Sequence, residues 1–347
     1  MAGAEVRVQP PRLLGAYREM LTPALQRAVE GVDPELGVLL RYHMGWADPS
    51  GRPLQGDQGK ALRPTLCLFA CEGVGSPPQR ALPAAVAVEC IHNFSLVHDD
   101  IQDEDRERRH RPTVWAVWGV PKALTAGNAL RAIADRALLG LLGNGVPAAV
   151  ALEAAWTLTE AYLEMIEGQT LDISYEGRPD ITVDDYLRMV SKKTAALIGA
   201  SLAVGALVGG APPPAVQALR EAGRLLGLGF QVQDDVLGIW GDRAITGKAV
   251  GADILRRKTS FPIVYALERA PAPLAQRLRL CYQRGAMTEA DVPRVLEVLE
   301  EVDARRHAQE AALAYCREGV RRAGQVLPPW ATEALEELAR FIVYRQG

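Results

Sequence analysis

Asp99 and Asp103 stand four residues apart at the end of an apolar run, in His98-Asp99-Asp100-Ile101-Gln102-Asp103. On a helix this spacing puts both carboxylates on one face, about one turn or ~6 Å apart. Like charges so placed repel and weaken the helix unless a cation sits between them. All-oxygen ligands suit Mg2+ or Mn2+, and Mg2+ is commonly shared between one or two carboxylates and a substrate's phosphates. A solvated acidic helix end would carry the same letters. The second half of the chain favours the metal reading. Phe230-Gln231-Val232-Gln233-Asp234-Asp235 again runs an apolar helix (Leu219, Leu226, Phe230) into adjacent aspartates. A charged pair buried without a partner is costly, and its appearance twice points to two facing helices that hold divalent ions between them.

Cations flank the first acidic site. Arg108 and Arg109 follow it in an Arg-Arg-x-x-Pro-Thr run, as a polyanionic substrate beside metal ions would require. Lys60 and Arg63, three apart, are either an ordinary surface pair or a diphosphate clamp, Arg as a fork and Lys as a point charge. His92 lies two turns before Asp99 on the same face, where it is either a core histidine or a group aimed into the acidic cavity.

The elements that must position these residues read as helices. Apolar residues recur at helical spacing over 15–31, 80–104, 122–142, 148–174, 184–209, 215–240, 261–269, 288–323 and 331–345. Gly73–Pro78, Gly143–Pro147, Gly177–Asp180, Pro212–Pro214 and Pro271–Pro273 punctuate them. Val114–Val117 is the one strand-like alternation, and no repeat recurs. The expectation is an all-α antiparallel helix bundle around a central active-site cavity, with 1–347 as a single domain. Apolar residues make up 48% of the chain, enough for a large core, and the net charge of −3 is spread without a basic stripe, which argues against nucleic acid. Five scattered cysteines read as buried free thiols of a cytoplasmic protein. The N-terminal residues lack an apolar signal core. The uncharged run from Ala195 to Pro214 is a better buried helix than a membrane span, so no stable membrane insertion is expected.

The motifs now resemble those of the trans-isoprenyl diphosphate synthases, the polyprenyl synthetase family. From about residue 56 to 260 they are Gly-Lys-x-Leu-Arg-Pro at 59–64, His-Asp-Asp-Ile-Gln-Asp at 98–103, Arg-Arg-x-x-Pro-Thr at 108–113 and Gly-Gln-x-x-Asp at 168–172. Lys-Thr-Ala at 193–195, Phe-Gln-x-x-Asp-Asp at 230–235, Thr-Gly-Lys at 246–248 and Lys258 follow in order. The resemblance implies a Mg2+-dependent transferase that ionises an allylic diphosphate (dimethylallyl, geranyl or farnesyl) and joins it to isopentenyl diphosphate. It implies three Mg2+ per site (Mn2+ as the alternative) on Asp99, Asp103 and Asp234, supported by Asp172, Asp235 and Asp253. Lys60, Arg63, His92 and Arg109 resemble the isopentenyl diphosphate site; Arg108, Lys193, Lys248 and Lys258 resemble the allylic diphosphate site. Thr194 and Gln231 resemble residues whose oxygens support the cation. No covalent enzyme intermediate is needed, and dry walls keep water from trapping the cation. A homodimer is implied, its face unspecified, and Arg345 is expected to help close the isopentenyl site.

Three departures qualify the resemblance. Gly238 stands where the family's second motif ends in a third aspartate, and Asp242 is the nearest substitute. His110 stands where glycine is usual, a strained choice if the backbone needs φ > 0. Gln58 and Ala61 depart at positions not expected to touch substrate. Phe94 and Ser95, five and four residues before Asp99, lie where a tail growing down the helix would be stopped. A large and a small residue there resemble twenty-carbon synthases, so geranylgeranyl diphosphate is the expected product and farnesyl diphosphate the next. Two alternatives stand beside this: a class I terpene cyclase, which would not need Lys60, Arg63 and Arg109, and a non-catalytic subunit of a heteromeric synthase, for which Gly238 is the only hint.

Overall fold

The computed structural model describes residues 9–54, 56, 59–241, 251–283 and 286–345. Helix follows helix: α1 (Leu13–Ala16), α2 (Arg18–Val29), α3 (Pro34–His43), α4 (Leu62–Gly73) and α5 (Leu82–Gln102), the last preceded by a 3₁₀ turn at Pro78–Ala81. A two-stranded hairpin, β1 (Glu107–Arg108) and β2 (Arg111–Pro112), is the only sheet among the described residues. Then come α6 (Val114–Trp118), α7 (Val120–Gly143), α8 (Ala148–Tyr175), α9 (Val183–Val190), a wider π-turn at Ser191–Ala195, α10 (Ala196–Gly209) and α11 (Pro213–Trp240). The chain ends in α12 (Ala252–Leu255), α13 (Phe261–Arg269), α14 (Ala272–Gln283), α15 (Val292–Glu301), α16 (Ala304–Ala323) and α17 (Pro329–Tyr344).

Helix α10 explains the layout. Its fourteen residues, ALIGASLAVGALVG, are apolar on every side, and all but the last are buried. A helix with no polar face must be surrounded, and α4, α5, α8 and α11 all pack on it. Val183–Gly209 is therefore long and apolar enough to cross a membrane, yet 83% of its most apolar window is buried in the fold. Thr182 starts this segment with a capping box: its hydroxyl accepts from Asp185 N–H at 3.1 Å, and the Asp185 carboxylate accepts from Thr182 N–H at 3.1 Å. A second, smaller core of Ile239, Ile254, Ile263, Leu278, Tyr282 and Val295 joins α12–α15 to the end of α11, with Trp240 and Tyr265 packed against both cores.

Several expectations need correction. Val114–Val117 is part of helix α6, not a strand. The single helix expected over 288–323 is two, broken where Asp303 takes φ 52°. Helices α3 and α4 are additions to the expected set; α4 is buried on nearly every side and offers little amphipathic pattern. The prolines at 271–273 do punctuate the chain, just after α13 ends at Arg269, but they also open α14, another addition to that set, at positions where a missing N–H costs nothing. All five cysteines are free, four of them fully buried.

Candidate active site

Asp99 and Asp103 sit on the last turn of α5 and its cap, and Asp103 N–H donates to Asp99 C=O at 2.8 Å. Carboxylates are unfavourable at a helix C-terminus, where the backbone already presents negative charge. Burial pushes the Asp99 carboxyl up to about 6, with Asp103 and Asp172 raising it further and Lys193 opposing them. Asp103 is raised for the same leading reason, with Lys193 and Lys258 opposing. Acids so destabilised as anions are poised for a cation. Among the described residues, no three His, Cys, Asp or Glu side chains gather closely enough to form a metal site unaided. The expected cluster between facing helices is thus not a protein-only cage. The donor set, carboxylates alone beside an open cleft, still fits Mg2+ shared with substrate phosphates.

The two aspartate helices each pack on α10, and both open onto one cleft of about 540 Å³. Asp99, Asp234, Arg63, His92, Arg108, Arg109, Lys193, Thr194, Gln231 and Lys258 line it, as do Phe94 and Ser95. Arg63, on the first turn of α4, feels both Asp99 and Asp234, so the two acidic motifs address one space. Its Nη1 lies 3.3 Å from His92 Nε2, and its Nε is buried without a partner. Burial and the guanidinium groups of Arg63, Arg109 and Arg108 hold His92 neutral. Behind them runs a buried chain that the sequence did not reveal: Asn93 Nδ2 donates to Glu89 Oε1 at 2.9 Å, and Asn93 Oδ1 meets His43 Nε2 at 3.1 Å. Glu89 is the counter-charge beneath Arg63 and Arg109.

The hairpin aims the arginines. Arg109 and His110 form its two-residue loop with φ of 51° and 58°, the mirror-image turn that matches strand twist. His110 therefore does sit where glycine would relax the backbone. Arg108 Nε donates to Asp100 Oδ1 at 2.7 Å, which directs it along the cleft. Gly59 approaches Arg109 so closely that a Cβ would come within 2.7 Å of its Nη2. Lys60, next in the chain, is exposed with its Nζ 5.3 Å from the Phe341 ring, outside the cleft wall.

On the opposite wall, the π-turn presents Lys193 and Thr194 together. Gly168 of α8 makes room for it: a Cβ there would lie 2.2 Å from Lys193 N. Lys193 ion-pairs with Asp172. Thr194 Oγ1 donates to Gln231 Oε1 at 2.8 Å, and Gln231 Nε2 donates to Asp235 Oδ1 at 3.1 Å. Asp235 is not a cleft acid. It is buried and accepts from Tyr186 O–H at 2.6 Å, Phe261 N–H at 2.9 Å and Lys258 Nζ at 3.4 Å, so it holds Gln231 and Lys258 in place. Lys258 Nζ also lies 3.7 Å from Asp253 Oδ2. Lys248 and Asp242 lie outside the described residues.

Two placements differ from expectation or refine it. Arg345 ion-pairs with Asp234, and its guanidinium lies 4.1 Å from the Phe230 ring centroid. Phe94 lines the cleft, its ring 4.7 Å from His98 and 6.0 Å from Tyr162. Tyr186, Glu89 and the π-turn left no sequence signal, because their role is to hold other residues rather than to repeat a motif.

A family model described as polyprenyl synthetase matches residues 48–299. The (2E,6E)-farnesyl diphosphate synthase of Mycobacterium tuberculosis is 41% identical over 340 residues, covering 96% of this chain and 93% of that protein. A geranylgeranyl diphosphate synthase of the same species is 41% identical over 300 residues, covering 86% and 85%. The crystal structure of a polyprenyl synthetase from Streptomyces coelicolor superposes with a TM-score of 0.88 at 38% identity, covering 95% of this chain and 98% of that one. With a family model matched over most of its length and relatives 41% identical over nearly the whole chain, this chain belongs to the polyprenyl synthetase family.

Proposed function

We propose that this protein is a chain-elongating trans-prenyltransferase that condenses isopentenyl diphosphate with an allylic diphosphate. The observation that carries the reading is the convergence of Asp99, Asp234, Arg63, Arg109, Lys193 and Lys258, from separate elements, on one cleft that the apolar ring of Phe94 also lines. Asp99, Asp103 and Asp234 would hold Mg2+ together with the substrate diphosphate, where the metal would supply positive charge to neutralise the leaving group. Three ions per site are proposed, with Asp172 among the supporting acids.

The chain's own residues do the rest. Arg108, Lys193 and Lys258, with Lys248, hold the allylic diphosphate, whose C–O bond ionises to a resonance-stabilised cation. Thr194 and Gln231, fixed in turn by Asp235, direct oxygen toward that cation. Arg63, Arg109 and His92 hold isopentenyl diphosphate, joined by Lys60 only if its side chain swings in from beside Phe341; the double bond attacks, and a proton then passes to the released diphosphate. A neutral His92 donates or accepts a hydrogen bond here and does not act as an acid.

The tail grows along α5 toward Phe94, and the product is geranylgeranyl diphosphate, with farnesyl diphosphate the alternative. Relatives named for each product are similar to this chain to the same degree, at 41% identity. The chain works as one domain and as a homodimer. Leu139 and Leu142 on α7 and Leu152 and Trp156 on α8 are exposed apolar side chains that a partner would cover, with Leu152 72% and Trp156 67% exposed. Its free, mostly buried thiols support a cytoplasmic setting.

Incubation with Mg2+, labelled isopentenyl diphosphate and each of the three allylic primers, with products sized by mass spectrometry, tests the reading. Chain growth to twenty carbons is expected; a cyclic hydrocarbon or no turnover would overturn it.

A further inference from the structure

Arg256 stands two residues before Lys258, and Asp105 stands two residues after Asp103. Their side chains ion-pair, joining the segment that follows α12 to the loop that follows α5. The Asp105 end is a fixed post. Its N–H donates to Asp100 C=O at 2.9 Å, and its C=O accepts from Thr113 Oγ1 and from Trp115 Nε1, both at 2.8 Å. The hairpin beyond it is tied separately: Tyr42 O–H donates to Pro112 C=O at 2.7 Å, and Arg111 Nη2 donates to Ala47 C=O at 2.8 Å.

The neighbours of Arg256 grip the opposite side. Arg257, at φ 54°, donates through Nη2 to Gly177 C=O at 3.2 Å and to Tyr282 C=O at 2.6 Å. Lys258 Nζ lies between Asp235 and Asp253, and Thr259 Oγ1 donates to Tyr175 C=O at 2.7 Å. Residues 257–259 therefore belong to the wall built from α8, α11 and α14, while Arg256 reaches across to the wall built from α5 and the hairpin. The allylic diphosphate has ligands on both walls, Arg108 and the Asp103 carboxylate on one and Lys258 on the other, so the spacing of the walls decides whether one diphosphate can meet them together. The isopentenyl ligands Arg63, His92 and Arg109 come from α4, α5 and the hairpin and do not need that spacing.

We propose that the Arg256–Asp105 ion pair is a clasp that holds the two walls at the spacing one diphosphate requires, with Arg256 the positioning residue for Lys258. The clasp's effect on substrate rests on the reading that Arg108 and Lys258 take the same diphosphate; the clasp itself does not.

Arg256→Gln, Asp105→Asn and the double variant test it. The two substitutions change the local charge in opposite directions, so a mere field effect would move the allylic KM in opposite directions. Loss of a clasp moves it the same way in both. Each single variant is expected to raise the allylic KM about 2–5-fold, the scale of a half-exposed ion pair, and to leave the isopentenyl KM unchanged. The double variant is expected to be no worse than either single one. Opposite shifts, additive shifts or an equal rise in the isopentenyl KM would overturn the positioning role. Hydrogen exchange of the metal-free, EDTA-treated protein reads the clasp without substrate: Asp105→Asn, made on one wall, should speed amide exchange over 252–260 on the other. Unchanged exchange there would overturn the clasp. A wild type that neither turns over nor gains thermal stability from Mg2+ with inorganic diphosphate would refute the diphosphate reading and with it the positioning role, and the exchange comparison would still decide the clasp.

Discussion

Removing the charge of Asp99 should stabilise the metal-free protein, and by an amount that depends on pH. Its carboxyl is pushed up from 3.8 to about 6, chiefly by burial. For an acid raised in the folded state, the folded protein binds the extra proton between those two values, so stability falls as pH rises through them. The penalty is absent below the ordinary value and complete above about 6. At about 1.36 kcal/mol per pH unit the gap is worth about 3 kcal/mol, a ceiling that solvent in the open cleft lowers to about 1–2 kcal/mol. At about 2.1 cal/mol/K per residue, that is about 1.5–3 °C of melting temperature for a chain of this length. The pH curve of the wild type alone would not show it. His43 and His92 are held neutral by burial, His43 down to about 3, and both withdraw stability as pH falls below 6.5. Comparison of Asp99→Asn with wild type cancels these histidines. In EDTA, the variant should melt higher at pH 8, with the difference falling to about half by pH 5. With Mg2+ and inorganic diphosphate the order should reverse, since the variant has lost a ligand. A variant no more stable than wild type at pH 8, or a difference that ignores pH, would refute the argument that Asp99 is an anion held in an unfavourable place for a cation.

Phe94→Ala removes the ring that meets His98 and Tyr162 in the cleft wall; products at least one isoprene unit longer are expected by mass spectrometry, at a stability cost of about 3 kcal/mol or less because the ring already faces the cleft. Arg345→Ala frees Asp234, whose side chain is 41% exposed; Mg2+ should then activate at about 2–5-fold lower concentration, the worth of a screened ion pair, whereas a raised isopentenyl KM with unchanged Mg2+ dependence would return Arg345 to the isopentenyl site. Trp156→Glu places a charge among the exposed apolar side chains of α7 and α8 and should convert a dimer to monomer in sedimentation experiments, leaving the melting of the monomer close to wild type.

The two aspartate helices are legible in the sequence because a charge at the end of an apolar run violates binary patterning, and such violations mark sites. The motif cations are legible for the same reason. Geometry that depends on close backbone approach is not. Gly168 and Gly238 look like any helical glycine until the neighbour that each admits is in place, Lys193 N and the Asp253 carboxylate. Helix α4 shows little period because nearly every side of it is buried. The π-turn at Ser191–Ala195 inserts itself in a segment whose letters read as uninterrupted helix. Asp235 and Asp234 are adjacent letters with opposite fates, one saturated by Tyr186, Phe261 and Gln231 and the other open to the cleft. Only the packing of α9 and α13 against α11 decides which is which.

The pairings in the cleft share one logic. Lys193 is on Asp172, Arg108 on Asp100, Arg345 on Asp234 and Lys258 between Asp235 and Asp253. Without substrate, these cations sit on acids of the site, while Asp99 and Asp103 are outside these pairs. A diphosphate alone must pull cations off carboxylates that then stand unpaired, and Mg2+ alone must take carboxylates from cations that then stand unpaired; either exchange leaves buried charge uncompensated. Together each supplies what the other displaces. Mg2+ and diphosphate should therefore bind with positive coupling, and by linkage the coupling is the same whichever is added first. Calorimetric titration of inorganic diphosphate at low and high Mg2+ measures it. Because the two ligands also associate in solution, the comparison must be made with Lys193→Gln, which lacks one of the exchanged pairs. Coupling that is no larger in the wild type than in that variant would show that the attraction between the ligands themselves, rather than the exchange of partners in the cleft, accounts for their joint binding.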